Sequence, residues 1–597
     1  MTKNILLTAL TLLLSVSAFS QETHKKFWVS GTSRGVYNLD EYNGQSDDTT
    51  TVKKSEYGHT LVDLSANIKP NKNTFIRTTL RVRNEYGGFW GSGITFDVRE
   101  LYLKGLIANS VRYQIGDIDY KLTPFTFFNS TEELYENSLD IFNMQKDILH
   151  YDYFYTGNNT WRQQGIASDF SLSFREGIEE LQFNFFSSRM NLAGSSNDTP
   201  YDERLFVGGN MTMVQSENLS AGVNYINLMD VSGTSESKVH YRNPVVTGTY
   251  KVNKGFGDLN LELTGESGIS KSYMENDNTK PKYEDFFNYA KISTEYKPLD
   301  MTFSVAYRNV GPEFRSVGAQ SRRISLNGKP FMYERYTNDK SIRPIGIWDI
   351  YSDPALYALD DDGNEVISSM HNIGIKDGLA GYYPQYNNID PYGLATPNRK
   401  GFDISLERID DQNRYTVNVD YSMLSDIIGQ GTDILRDYNS LSAQTEIHVD
   451  EFLSGISQDV TLELGYTLSE TKRTFDDIPE ANSNLTSERI TAGLTVQVSE
   501  SLDLLAGYES FVSTGKDEIA IQNEFNEITN YTYEADLSEN ITGIGLRYSF
   551  SDDNDLQLLW QDYNWSNPKY FNLVSEQAED KPDYSFSRIS LAFIMKF

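Results

Sequence analysis

Side chains able to do covalent chemistry are few in this chain and poorly placed for it. Its six histidines, His24, His59, His150, His240, His371 and His448, include no pair at metal-ligand spacing. There is no cysteine, which removes thiolate nucleophiles, thiolate metal sites and disulfides. No glycine-flanked nucleophilic serine and no phosphate-cradling loop ending in lysine occurs. His448 and His150 are the best residues a barrel hydrolase could use, and a solvated structural histidine is the favoured reading of both. Asp360, Asp361 and Asp362 are consecutive rather than alternating, so they read as a solvated turn and not as a calcium loop. No catalytic residue, metal or cofactor is implied. The informative polar residues are instead charges on every second position of long alternating segments.

Those segments explain an unusual composition. The 597 residues carry 84 acidic and 52 basic side chains, a net charge of −32, which argues against a nucleic-acid partner. The mean hydropathy of −0.49 argues against a bundle of membrane helices, and 13% aromatic residues is too many for an acidic disordered chain. Apolar residues are dispersed at period two. Val460, Leu462, Leu464, Tyr466 and Leu468 alternate with Thr461, Glu463, Gly465 and Thr467. Tyr415, Val417, Val419, Tyr421 and Met423 do the same, as do Leu259, Leu261 and Leu263, and Ile490 to Val498. Successive strand side chains point to opposite faces, so each segment has one apolar and one polar face.

Residues 1–20 stand apart. Lys3, the apolar run Ile5 to Val16, and small residues Ala18 and Ser20 before Gln21 read as a secretory signal peptide. The mature chain, 21–597, reads as a single all-β domain of about 22 strands, within a range of 16 to 22, each of roughly ten residues. The expected centres are 27–37, 58–69, 74–86, 97–107, 110–118, 164–174, 179–189, 203–214, 218–230, 242–253, 257–268, 285–297, 299–311, 401–408, 413–424, 441–450, 459–470, 487–498, 501–512, 539–550, 553–563 and 586–597. Links after even strands are short and turn-like, for example Pro70–Asn73 and Ser499–Ser501. Links after odd strands are long: 38–57, 119–163, 269–284, 312–400, 513–538 and 564–585. This parity predicts an antiparallel up-and-down transmembrane barrel with short periplasmic turns, long extracellular loops and both termini periplasmic. In lipid only a closed sheet leaves no backbone edge unpaired.

With the apolar face toward lipid, the polar face lines the lumen. Strands three to five then offer a basic wall of Arg77, Arg81, Arg83, Lys104 and Arg112. Strands from the eleventh on offer an acidic arc of Glu262, Glu266, Asp420, Glu446, Glu463, Asp503 and Glu509. Opposed walls would orient a charged solute across a pore. The competing reading is that these charges pair with each other or with material inside the lumen.

At the C-terminus, Ile589, Leu591, Phe593, Met595 and the terminal Phe597 share one face. Here the chain resembles the bacterial outer-membrane β-barrel superfamily, porin-like in kind. The resemblance implies an outer-membrane location, lipid as the surrounding solvent, and recognition of the Phe593–Met595–Phe597 strand by the barrel-assembly machinery. Barrels of about 22 strands are normally plugged. Only residues 21–26 precede the first strand, so the plug must come from loops 119–163 or 312–400, or from a lipoprotein or other partner. Loop 119–163 carries Phe125, Phe127 and a short helix expected within Glu132–Gln145. Loop 312–400 carries turns at Asn327-Gly328 and Asp360–Asn364 and tyrosines such as Tyr386. The leading function is a channel for polar or charged small solutes, saccharides among them. The alternative is a non-transporting scaffold in an assembly, secretion or adhesion complex, with a barrel hydrolase third.

Overall fold

A computed structural model describes residues 26–42, 54–86, 94–118, 120–127, 137–153, 163–196, 199–236, 240–275, 283–319, 358–359, 365–366, 386, 388–390, 393–429, 432–453, 455–476, 479, 482–522, 528–572, 577–579 and 584–597. The signal peptide, the Asn327-Gly328 turn, His24 and His371 lie outside the described residues.

Twenty-two strands form one antiparallel sheet in which every strand pairs with its sequence neighbours. The sheet closes on itself. The first strand, Phe27–Tyr42, pairs with the second, Lys54–Asn71, along one edge and with the last, Tyr584–Lys596, along the other. The second register runs unbroken from Thr32 opposite Lys596 to Tyr42 opposite Phe586. Closure leaves no unpaired strand edge, which is the condition for crossing hydrocarbon.

The alternation sets the two faces. Large apolar side chains remain exposed around the outside: Phe96, Ile115, Phe185, Val223, Ile292 and Leu464 are each at least 41% exposed. The opposite parity is polar and enclosed, for example Asn224 beside Val223, and Thr247 and Glu266 on the next two strands. An apolar belt around a closed barrel is unfavourable in water and favourable in lipid.

Every expected strand centre overlaps an observed barrel strand, yet two spans run well beyond theirs. The long link expected over 513–538 is mostly strand. Leu502–Gln522 and Ile528–Ser551 pair continuously up to Gln522 opposite Ile528. Alternation persists there with polar residues on both faces, and the ladder continues above the apolar belt because solvent tolerates it. Likewise Ala358–Leu359 pairs with Glu365–Val366, which brackets the expected Asp360–Asn364 turn. The short links organise themselves locally. In the turn after Arg399–Ile409, Asp410 accepts the backbone N–H of Gln412 and of Arg414 and a two-pronged contact from the Arg414 guanidinium at 2.7 and 2.8 Å. Asn413 supplies the left-handed residue at φ 56°.

The Arg414 hydrogen bond holds the Asp410 carboxyl below the usual carboxylate range. A carboxyl so depressed contributes stability above the ordinary Asp pKa and loses it as pH falls through the folded value. Asp410→Asn should therefore unfold at lower denaturant than wild type at pH 7, with the gap closing in strong acid. Urea titrations in lipid vesicles at the two pH values read this directly.

At the seam, Gly31 N–H donates to the Phe597 carbonyl at 2.8 Å, and Phe597 N–H donates back to Gly31 at 3.0 Å. A Cβ on Gly31 would stand 2.7 Å from the Phe597 ring, so the missing side chain is what lets the terminal ring lie against the first strand. Phe597→Ala should lower the fraction of chain that reaches the heat-modifiable barrel form on electrophoresis. An unchanged fraction would remove the ring from any part in closure.

Candidate functional site

The interior is not an empty pore. After the fifth strand, Val111–Ile118, the chain turns inward. Phe125 and Phe127 are buried against inward side chains of the wall: Phe186, Phe206, Ile226, Val245 and Phe287. Phe125 stacks on Phe287 at 4.1 Å and Phe127 on Phe186 at 4.9 Å. Phe314 and Ala319, from the start of loop 312–400, join the same cluster. The expectation that the polar face lines the interior is corrected on this arc. The wall turns apolar where in-folded segments give it something apolar to cover.

The helix spans Asp140–Tyr153 rather than lying within 132–145. It begins late because Asn137 adopts a left-handed backbone, φ 52°, and the chain first makes a turn, with Phe142 N–H bonded to the Leu139 carbonyl. The helix lies against the wall formed by the strands Val460–Arg473 to Asn554–Ser566. Its first N–H, on Asp140, donates to Glu463 Oε2 at 2.9 Å, a carboxylate placed where the helix macrodipole favours negative charge. The Asp140 carboxylate takes two hydrogen bonds from Arg547, at 2.7 and 2.9 Å, and one from Thr495 at 3.1 Å. Asn137 donates to Thr467 and Ser442, and Gln557 donates to the Ile141 carbonyl. Leu139, Ile141 and Phe142 are buried on Leu505, Ile541, Leu559 and Tyr563. Farther along, Met144 and Ile148 pack on Val36 and Ala592, reaching the barrel seam.

A row of glycines makes the close approach possible. Gly493 pairs with Gly507 and Gly507 with Gly543, so three consecutive strands present no side chain at one inward level. A Cβ would stand 2.5 Å from Ile141 at Gly507, 3.0 Å from Leu139 at Gly493, and 3.0 Å from Phe142 at Gly543. The helix start therefore rests on bare backbone.

Loop 312–400 also enters the barrel where it is described. Ser487 donates to the Tyr386 carbonyl at 2.6 Å, Thr471 to Asn388 Oδ1 at 2.6 Å, and Asn388 to Asp517 at 2.5 Å. Arg308, fully buried, binds Asp390 at 2.7 Å and Asp403 at 3.1 Å.

The charged walls fall on inward positions and are largely engaged. Arg81 holds Asp63 through two contacts of 2.9 and 2.8 Å, Arg77 reaches Glu100 at 3.2 Å, and Arg83 reaches His59 at 3.5 Å. Arg112 binds Asp169 at 2.5 Å. Lys104 instead lies over the rings of Phe75 and Tyr102. On the other arc, Glu262 pairs with Lys251, Glu446 with His448, Asp503 with Arg547 and Glu509 with Arg489. Glu266 accepts from Thr123, Glu463 holds the helix, and Asp420, exposed on the inward parity of its strand, is engaged as well. Sequence order shows the parity of these residues. It does not show Asp63, Asp169 or Arg547 as their partners, nor the glycine row, because register is needed to align strands. His448 accompanies Thr461 and Glu446, a structural setting, and the His150 side chain lies outside the described residues.

Two cavities open at the short-turn end. One of about 770 Å³ is lined by Lys69, Lys72, Lys104, Arg112 and Lys121. The other, about 450 Å³, is lined by Asp450, Glu451, Asp459 and Asp503 together with His448 and Arg547. The mouth thus carries a basic pocket on one arc and an acidic one on another.

A closed 22-strand ladder, an outward apolar belt and an enclosed polar face are together decisive. The protein is a transmembrane β-barrel. No family model and no curated protein matches the chain. Solved structures align over nearly its whole length at low similarity. OccK5 (OpdH) of Pseudomonas aeruginosa matches at 10% identity and TM-score 0.33, covering 96% of this chain and 99% of its own. The FrpB iron transporter from Neisseria meningitidis matches at 10% identity and TM-score 0.45, covering 96% and 82%. OmpT, an outer membrane protein of Vibrio cholerae, matches at 10% identity and TM-score 0.26, covering 97% and 100%. The assignment of this barrel rests on its own ladder and belt.

Proposed function

We propose that this barrel is an outer-membrane channel for small polar or charged solutes whose passage is restricted by its own in-folded segments. The observation that carries the reading is the helix Asp140–Tyr153 seated on the glycine row and tied by Asp140 to Arg547. A wall kept polar and wide around a self-supplied plug suits a conduit that opens more than a solid stave. The long loops lie on the extracellular side and both termini in the periplasm, in keeping with the parity of link lengths.

Reconstitution in planar bilayers tests this. Wild type should conduct weakly and in brief steps, and a variant with the helix unseated should conduct in larger ones. Silence from both would overturn the channel. The scaffold reading gains from the same occupied lumen. It predicts that both stay silent and that a partner subunit co-purifies in mild detergent.

A further inference from the structure

The 770 Å³ cavity at the short-turn mouth differs in character from the rest of the molecule. Its lining holds five cations, Lys69, Lys72, Lys104, Arg112 and Lys121, and one carboxylate, Asp169, an excess of four positive charges (five minus one) in a chain of net charge −32. Arg112 is committed to Asp169. No ion pair to Lys69, Lys72 or Lys104 occurs among the described residues, and the Lys104 ammonium is held over Phe75 and Tyr102 at 5.3 and 5.2 Å. Cations that outnumber the carboxylates lining a partly enclosed site raise the local potential for an anion there.

The second feature is a ladder of amides. Arg112 pairs with Asp169, Asp169 with Asn184, Asn184 with Asn210, Asn210 with Asn224, and Asn224 with Thr247. Six consecutive strands therefore place polar side chains at one inward level. Asn184 donates to Asn210 at 2.6 Å, Asn210 to Thr212 at 3.3 Å, and Asn224 to Thr247 at 2.9 Å. These contacts fix the amide orientations, and each amide has more donor and acceptor capacity than they use. Tyr120 to Thr123 line the cavity, and Tyr120 and Leu122 pack against the cluster that holds Phe125 and Phe287.

We propose that this cavity binds a small anion that bears both several negative charges and hydroxyl groups, with a sugar phosphate as the type. Lysine ammonium groups act as compact point charges suited to a phosphate dianion. The asparagine ladder offers paired donors and acceptors to adjacent hydroxyls. The volume lies in the range of small-molecule sites. The proposal deepens the channel reading and rests on it for its purpose, since a solute held at this mouth is one in transit, but binding itself can be measured without transport.

The test is calorimetric titration of the full-length barrel in detergent with glucose 6-phosphate, inorganic phosphate and glucose. Folding of every variant is checked by heat-modifiable mobility. Glucose 6-phosphate should bind saturably, phosphate at least about tenfold more weakly, and glucose not measurably. Lys72→Gln with Lys104→Gln should weaken glucose 6-phosphate about tenfold or more, the worth of a charge-assisted contact. Asn210→Val should bring its affinity down to that of phosphate. Lys254→Gln with Lys297→Gln, an equal loss of two positive charges outside the cavity lining, should leave it unaltered. Absence of glucose 6-phosphate binding, equal affinity for it and phosphate, or wild-type affinity in the double lysine variant would each overturn the site. Conduction without binding overturns the site alone, and binding without conduction overturns the channel alone.

Discussion

Asp40→Ala is expected to destabilise the barrel by about 3–5 kcal/mol, the cost of leaving a buried cation without its counter-charge. Asp40 on the first strand and Arg588 on the last face each other directly across the closing seam. Arg588 donates through Nε and Nη2 to the two Asp40 oxygens at 2.7 and 2.8 Å, and the Arg588 and Asp40 side chains are 3% and 0% exposed. Every other strand pair is joined by a turn or loop in the chain. This pair alone is not, so its register depends on side-chain and backbone complementarity. Urea unfolding in vesicles, followed by tryptophan fluorescence, should show the midpoint fall. Replacing both residues together, Asp40→Leu with Arg588→Met, should recover much of the loss, because an apolar pair leaves no orphan charge. A single variant as stable as wild type would show that the seam ion pair does not hold the barrel closed.

The second large effect is on conduction. Gly507→Leu places a side chain where a Cβ alone would be 2.5 Å from Ile141 and 3.2 Å from Leu139. The wall there is a paired ladder and cannot retreat, so the helix must move. Overpacking of this kind costs about 1–3 kcal/mol, which multiplies the undocked fraction by roughly 5 to 150. Undocking also forfeits burial of Leu139, Ile141 and Phe142 and the Asp140–Arg547 contacts. In planar bilayers the variant should spend far more time in a large conducting state than wild type. Gly248→Leu is the matched control. Gly248 faces outward, and the nearest atom to its Cβ position is 3.9 Å away, so conduction should be unchanged. If Gly507→Leu conducts like wild type, the helix does not limit passage.

These two effects arise from different levels of organisation. The alternation of Val460 to Leu468, or of Tyr415 to Met423, specifies a two-faced strand from local residue types alone, because side-chain direction on a strand depends only on parity. The sorting of link lengths then follows from counting, and with it the barrel. Arg77, Arg81, Glu463 and Glu509 can be placed on the inner face for the same reason. Helix Asp140–Tyr153 is legible in the chain only as a helix, and with a displaced boundary, since its start is decided by the Asn137 turn and by Glu463 on the wall.

Parity is thus written in the residue order: which side chains face lipid, which face inward, and that the sheet must close to lie in a membrane. Register emerges only once the strands are laid against one another. Gly493, Gly507 and Gly543 are three unrelated glycines until pairing sets them side by side, and Arg112, Asp169, Asn184, Asn210 and Asn224 become a ladder in the same way. Facing is fixed by the geometry of one strand, whereas neighbourhood depends on how far each strand slides along the next. That offset is set by the turn that joins each pair and by complementarity between facing strands, as at Asp40 and Arg588 across the seam, where no turn joins them.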